Sequence, residues 1–294
     1  MLLVLMAANS GTAGEGPSDN LTEAERLKIA ALEMLISAPP DRALPLVAGV
    51  LSDNHSDAVK SRALFILSQI ELPEAQALLL ETARNGSPEL SKHAIRMIGV
   101  GGDMDALAGL AEIYGSGDGE VRKNVLQAYL IADRADAVYE VAVNASSEEE
   151  FAAAVRVLSA MGAASELRQL GERGVNSESL IHAYAIAGDF ASLRKLALDA
   201  SNPRMQLQAI QGLGIVGGDE VNSTLMEIYR GADRDEVRRA SLHGLMVADH
   251  DEGVLELFRA SQDAGEKREL LHLLVIMDSE VALDIIGATL QAEE

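Results

Sequence analysis

The segment Glu120-Val-Arg-Lys-Asn-Val-Leu-Gln-Ala-Tyr-Leu-Ile-Ala-Asp133 recurs almost position for position as Glu236-Val-Arg-Arg-Ala-Ser-Leu-His-Gly-Leu-Met-Val-Ala-Asp249. Six further segments align with these two, and their equivalent positions, called anchors here, lie 26 to 32 residues apart. Apolar or small residues follow the anchors by four, five, seven, eight and eleven positions, which is the spacing of one broad buried helix face. The eight anchors are Val59, Leu90, Val121, Glu150, Asn176, Met205, Val237 and Glu266.

Other helical segments lie between these eight, over 73–83, 104–114, 135–143, 190–198, 220–229 and 253–260. Short joints such as Gly101-Gly-Asp103 and Gly217-Gly-Asp219 separate the helices. Glycine permits the left-handed turn that ends one helix, and the following Asp can cap the next. Each unit is therefore a helix pair of about 30 residues, which is too small to bury its apolar face without neighbouring pairs. The sequence predicts an all-α fold, an α-solenoid of about eight to nine helix pairs.

The ends of the chain differ from the repeats. Residues 1–16 hold a short apolar run followed by small residues, which predicts a signal-peptide remnant and an exported, periplasmic protein; a cytoplasmic location is the alternative. Residues 17–294 are predicted to form a single solenoid, with a capping helix over about 21–37 that starts with a Thr22–Glu25 capping box. The contracted spacing before Asn176 predicts a shortened helix or irregular turn at 173–176.

Composition restricts the function. The 46 acidic and 24 basic residues give a net charge of -22, aromatic residues make up 3%, and cysteine is absent. Such a charge argues against a nucleic-acid binder, and the lack of cysteine excludes disulfides, thiolate metal sites and cysteine nucleophiles. No segment has the roughly 18 apolar residues of a membrane span.

The repeats resemble the HEAT-repeat superfamily, specifically the short bacterial HEAT-like repeats of phycobilisome lyases, over roughly residues 40–290. The resemblance is clearest at Glu120-Val-Arg, at Asp235-Glu-Val-Arg and at Gly212-Leu-Gly-Ile-Val-Gly-Gly-Asp219. The chain is also similar to exported bacterial HEAT-repeat proteins of unassigned role. We call the helix of each pair that carries the anchor its second helix. The resemblance implies that these second helices line a concave surface.

Motifs for catalysis or cofactor binding have structural explanations here. Gly212-x-Gly214-x-x-Gly217 ends a helix instead of opening one after a strand, so it indicates close helix packing more than dinucleotide binding. Deoxyhypusine hydroxylases share the repeat class and hold iron with His-Glu pairs, but this chain has no His-Glu dipeptide. The joint over residues 53–57 has oxygen ligands but lacks the glycine and distal Glu of a calcium loop. We therefore predict no enzyme activity and no cofactor.

Basic residues concentrate in the second helices. The anchors and the six residues after each hold eleven basic and four acidic side chains, although the whole chain is acidic. These cations form either a binding stripe or an inter-repeat ion-pair ladder, with the ladder favoured. The position six after the anchor is polar in seven of eight units, Phe65 being the exception, and gives the better groove candidates. The groove candidates are Arg96, Gln127, Arg156, His182, Gln211, His243 and His272. The other stripe residues are Lys60, Arg62, Lys92, Arg122, Lys123, Arg238, Arg239, Lys267 and Arg268.

Three classes of function are compared with these patterns. The first is a monomeric, non-catalytic scaffold that binds a protein or peptide with an acidic segment along the concave face. The second is an accessory, lyase-like protein or enzyme that acts on a bound cofactor or chromophore, and the lack of cysteine and of aromatic residues weakens it. Nucleic-acid binding is the third and least favoured class.

Overall fold

The computed structural model describes residues 21–174 and 177–291, and within those ranges its regular secondary structure is entirely helical. The predicted all-α solenoid class is confirmed, because sixteen helices between Pro40 and Ile276 of the described residues form eight pairs, with one helix before and one after them. The chain divides into two compact units: unit 1 ends at Ala132 and unit 2 begins at Asp133. In each pair the even-numbered helix is called the first helix and the odd-numbered one the second.

Unit 1 holds the first seven helices, and its second helices α3, α5 and α7 pack side by side. The predicted capping box is present: the Thr22 hydroxyl accepts from the Glu25 amide at 3.2 Å, and the Glu25 carboxylate accepts from the Thr22 amide at 2.8 Å. The helices are α1 Glu23–Met34, followed by a 3₁₀ turn Leu35–Ser37, α2 Pro40–Ser52, α3 Asp57–Ser68, α4 Pro73–Asn85, α5 Pro88–Gly101, α6 Met104–Ser116 and α7 Gly119–Ile131.

Unit 2 holds the remaining helices, and its second helices α9, α11, α13 and α15 form a packed row. Helices α10 to α12 have only eight or nine residues each, and Gly174 turns with φ +80°, which confirms the predicted irregularity at residues 173 and 174. The helices are α8 Ala135–Val143, α9 Glu148–Ala160, α10 Ala164–Glu172, α11 Glu178–Ile186, α12 Phe190–Ala197, α13 Pro203–Val216, α14 Asp219–Gly231, α15 Asp235–Val247, α16 Asp251–Ala260, α17 Ala264–Ile276 and α18 Glu280–Gln291.

The core follows the predicted spacing. In α13 the residues four, five and eight positions after the anchor, Ala209, Ile210 and Leu213, are fully buried. The second helices α13 and α15 approach so closely that there is no room for a side chain between them. A methyl group added to Gly214 would lie 2.8 Å from the Cα atom of Gly244. Gly212 and Gly214 of the dinucleotide-like string therefore serve helix packing, as the sequence predicts, whereas Gly217 ends α13 with a φ of +65°.

The joints correct one expectation about aspartate. At Gly102 and Gly188 the glycine has positive φ and the next residue, an Asp, caps the following helix, as predicted. At Gly217-Gly-Asp219 the cap residue is Gly218 and Asp219 is the first residue of α14, so the predicted Asp cap is wrong there. At three joints without glycine the Asp itself has a φ of 52° to 55° and does not cap; they are Asp133, Asp249 and Asp278. Aspartate tolerates the left-handed region better than most residues, so it replaces glycine there.

No helix in the described ranges is both long and apolar enough to cross a membrane. The predicted signal-peptide remnant over residues 1–16 lies outside the described residues, as does the anchor Asn176. The single solenoid over residues 17–294 stays a prediction.

Candidate functional site

In each unit the second helices present an open face. All seven groove candidates, at the sixth position after their anchors, are exposed on these helices. Phe65, at the same position of α3, is half-buried, and the guanidinium of Arg62 lies 4.7 Å from its ring centroid. The sixth position is therefore the centre of an accessible surface in both units, and Phe65 is the member covered by a neighbour.

An apolar row that the sequence analysis did not identify runs beside the groove candidates. The residue ten positions after the anchor is Val or Ile in six second helices, and each of these side chains is 44% to 61% exposed. It lies one helical turn beyond the groove candidate on the same face. We call these residues the apolar row: Val100, Ile131, Ile186, Ile215, Val247 and Ile276. Their recurrence at a position outside the buried pattern is the sequence feature that could have revealed them.

A basic row borders the other side of the face. The residue two positions after the anchor is an exposed cation on four second helices, and none of the four makes an ion pair with another described residue. We call these residues the basic row: Lys92, Lys123, Arg239 and Arg268. On α11 the equivalent residue is Glu178, which pairs with Arg204 of α13. Hydrogen bonding from Gln208 and the charge of Arg204 lower the pKa of Glu178.

The remaining stripe residues have other contacts. Arg62 pairs with Glu33 at 2.7 Å, and the Lys267 ammonium lies 5.6 Å from the centroid of the Phe258 ring. Lys60 is half-buried on α3. Arg122 and Arg238 instead belong to a clamp that recurs in four helix pairs.

This clamp uses the position one after the anchor. The side chain there donates a hydrogen bond to a carbonyl oxygen at or near the end of the first helix, which would otherwise lack an intrahelical partner. The pairs are Ser91 with Ala83 at 2.6 Å, Arg122 with Tyr114 at 3.3 Å, Gln206 with Ala197 at 3.0 Å and Arg238 with Ala232 at 3.0 Å. The clamp closes these four pairs.

Inter-repeat ion pairs occur mainly on the first helices. Neighbouring first helices are joined by arginine–glutamate pairs whose side chains are about half exposed, so each contributes little to stability. These pairs are Arg84 with Glu112, Arg194 with Glu227 at 3.8 Å and Arg230 with Glu256 at 2.6 Å. None of these arginines is in the predicted stripe.

A cleft opens between the second helices α15 and α17. Its volume is about 270 Å³, and Leu242, Met246 and Leu273 form its apolar walls. The polar residues at its rim include two groove candidates, His243 and His272. The two histidines are thus brought together at one opening, and in the described residues no cluster of three or more His, Asp or Glu could hold a metal ion.

The carboxylate of Glu266 fixes the start of α17. It accepts hydrogen bonds from the hydroxyls of Ser261 and, at 2.7 Å, of Tyr229 on α14. These hydrogen bonds lower the pKa of Glu266, while burial and the same contact raise the pKa of Tyr229. The network ties α17 to α14 although α17 does not pack closely on α15.

A second and larger cleft lies in unit 1, along the joints α3–α4 and α5–α6. Its volume is about 690 Å³, and its lining includes Glu71, Asp103 and Asp105. Gln76, almost fully buried, donates to the carbonyl of Ile70 at 3.3 Å, while its amide oxygen has no partner. This volume is within the range of small-molecule sites.

Comparison with known proteins gives a limited result. No family model and no curated protein sequence matches the chain. One similar solved structure is human deoxyhypusine hydroxylase in complex with glycerol, at 16% identity and a TM-score of 0.33, over 77% of this chain and 98% of that one. Another is the complex of CpcE and CpcF of phycocyanin lyase from Nostoc sp. PCC7120, also at 16% and 0.33, over 94% and 98%.

Proposed function

We propose that this protein is a HEAT-like interaction module that binds a partner protein along the open face of its second helices. The observation that carries the proposal is the register of three exposed rows. The basic row, the groove candidates and the apolar row stand two, six and ten positions after the anchors, so they share one face of each helix. Along the axis of a second helix, the first and third rows are eight residues apart, which is about 12 Å at 1.5 Å per residue. This distance equals the diameter of an α-helix with its side chains.

Packing within the fold does not explain the apolar row. Buried positions four, five and eight already supply the contacts between neighbouring helices, as Ala94, Ile95 and Ile98 show in α5. Exposed apolar side chains scattered singly need no explanation, but a repeated row of them bordered by polar residues is typical of an interaction surface. The unpaired cations beside it favour an acidic partner segment, because opposite charges attract across an interface. They do so although the chain as a whole has a net charge of -22. We also propose that the protein is a monomer and does not bind nucleic acid.

A second candidate function is that of an accessory, lyase-like protein which holds a chromophore or cofactor. The observation that favours it is the 690 Å³ cleft of unit 1 with the unpartnered amide oxygen of Gln76. The absorption spectrum of protein purified from its native host tests this candidate. A visible band that elutes with the protein would favour it, whereas a spectrum limited to tyrosine absorption would favour the interaction module.

Removal of the apolar row in unit 2 tests the main proposal. We expect the triple variant Ile186→Gln, Ile215→Gln, Val247→Gln to lose at least about tenfold of the partner that co-purifies with the wild type, because buried anchors dominate binding energy. Its free energy of unfolding should change by less than about 1 kcal/mol, since the three side chains are exposed. The matched control replaces exposed leucines outside the second helices, Leu27, Leu46 and Leu283, with Gln. Equal loss in both triple variants, or no loss in either, would contradict the proposal.

A further inference from the structure

The cleft between α15 and α17 exists because two bulky side chains replace small ones at the helix contact. Elsewhere in unit 2, the ninth position after one anchor and the seventh after the next are both small, as in Gly214 opposite Gly244. Between α15 and α17 the same two positions hold Met246 and Leu273. These side chains hold the helices apart, and both line the resulting opening.

The opening combines an apolar interior with a polar rim. The walls are the buried Leu242 and the half-buried Met246 and Leu273. Arg239 of the basic row and the two histidines stand at the rim, and Arg268 lies exposed near the start of α17. The rim also contains one carboxylate, Glu269.

The size of the cleft selects the kind of ligand. A volume of about 270 Å³ is below the range of drug-sized binding sites, which begin at about 300 Å³. It suits a single large apolar side chain inserted from a partner, which is the usual form of an interface anchor. The apolar row continues beside the opening at Val247 and Ile276, so the rest of a partner segment has an apolar surface to contact.

We propose that this cleft is the anchor site of the partner: it takes one aliphatic or aromatic side chain from an acidic segment whose carboxylates lie over Arg239 and Arg268. This inference rests on the proposed function and adds the site and the chemistry of the partner. Charge complementarity decides the sign of the segment, because both arginines lack ion-pair partners among the described residues. A basic segment would have only Glu269 to pair with at this rim.

Synthetic helical peptides of about 15 residues provide the test. One peptide has glutamates along one flank and a central Leu, the second replaces that Leu with Ala, and the third replaces the glutamates with lysines. Titration into the full chain is followed by the NMR signal of the Met246 methyl group. We expect the acidic Leu peptide to shift this signal saturably and to bind at least about tenfold more tightly than the Ala peptide, because the leucine loses its exposure to water. The lysine peptide should leave the signal unchanged.

Two single substitutions of exposed residues change the charge at the rim without disturbing the folded core. Arg239→Gln should weaken the acidic Leu peptide about threefold to tenfold, and Glu269→Gln should strengthen it about twofold by removing a repulsive charge. An unmoved Met246 signal, or equal binding of the Leu and Ala peptides, would overturn the anchor site. If the apolar-row variant still loses its native partner in that case, the proposed function stands and only the anchor fails. If the peptides bind as expected but the apolar-row variant retains its native partner as well as the wild type does, the proposed function fails instead.

Discussion

At the residue scale, the position of a side chain relative to its anchor decides what it does. The first position clamps the pair in four units, the second carries an exposed cation in four, the sixth is exposed in seven, and the tenth carries the apolar row in six. Exposure of the sixth position was predictable, because it lies outside the 3.6-residue pattern of buried residues. The apolar row was missed because Ile and Val near a helix end resemble core residues when composition alone is considered.

Aspartate at the joints illustrates a limit of the same kind. Aspartate is both a good helix cap and a tolerant residue in the left-handed region, so its presence does not tell which role it takes. After Gly218, Asp219 is the first residue of α14 and does not cap it. At four other joints the preceding residue decides: Gly102 and Gly188 take the left-handed turn and leave the next Asp to cap, whereas Ala132 and Ala248 do not take it. The rule applies to Asp133 and Asp249, which follow those alanines.

Acid should destabilise unit 2 through Glu266. Its pKa in the folded protein is lowered from an ordinary value of about 4.5, so its contribution is fully present above pH 4.5 and is lost as the pH falls through the lower folded value. We expect Glu266→Gln to reduce the free energy of unfolding by about 1 kcal/mol at pH 7, as for one hydrogen-bonded group. Chemical denaturation from pH 7 to pH 3 measures it, and the wild-type and variant curves should converge toward pH 3.

A matched substitution checks the cause of this effect. Tyr229→Phe removes one donor to Glu266 and should reproduce part of the loss at pH 7. A difference between wild type and Glu266→Gln that grows on acidification would contradict the assignment, because it would mean that the carboxylate is destabilising when charged.

At the element scale, close approach of the second helices depends on small residues at two facing positions. Helix boundaries and pairing followed from periodicity, since each pair must cover its neighbour. The opening at Met246 and Leu273 did not, because a helical pattern shows which face is buried but not how closely two helices approach. Side-chain volume at the contact sets that distance.

Replacement of Gly214 by Ala tests this dependence. Alanine favours the helix, but its methyl group would lie 2.8 Å from the backbone of Gly244, so α13 and α15 must separate. We expect the free energy of unfolding to fall by about 1–3 kcal/mol, the usual effect of overpacking. Thermal or urea denaturation gives the value.

The control is Gly115→Ala in α6, where an added methyl group meets no atom within 4 Å. Helix propensity alone should raise its free energy of unfolding by about 0.5–1 kcal/mol. If both alanine variants are stabilised alike, the second helices do not depend on backbone contact.

At the scale of the whole molecule, the charge is divided between surfaces. The net charge of -22 is concentrated outside the second helices, while the unpaired cations of the basic row stand on their open face. Composition predicted the acidic surface, and the repeat alignment predicted the basic stripe. Only the coordinates separate the cations of the open face from Arg122 and Arg238, which close helix pairs instead.

The most direct test of the central claim is site-specific photo-crosslinking in the native host, with a photoreactive amino acid placed at Ile215 on the open face or at Ser223 on the first helix α14. Both positions are exposed, so both report on contacts without disturbing the core. We expect one discrete partner to crosslink through Ile215, with little or no product through Ser223. Equal crosslinking from both positions, or from Ser223 alone, would show that the second helices do not carry the binding surface.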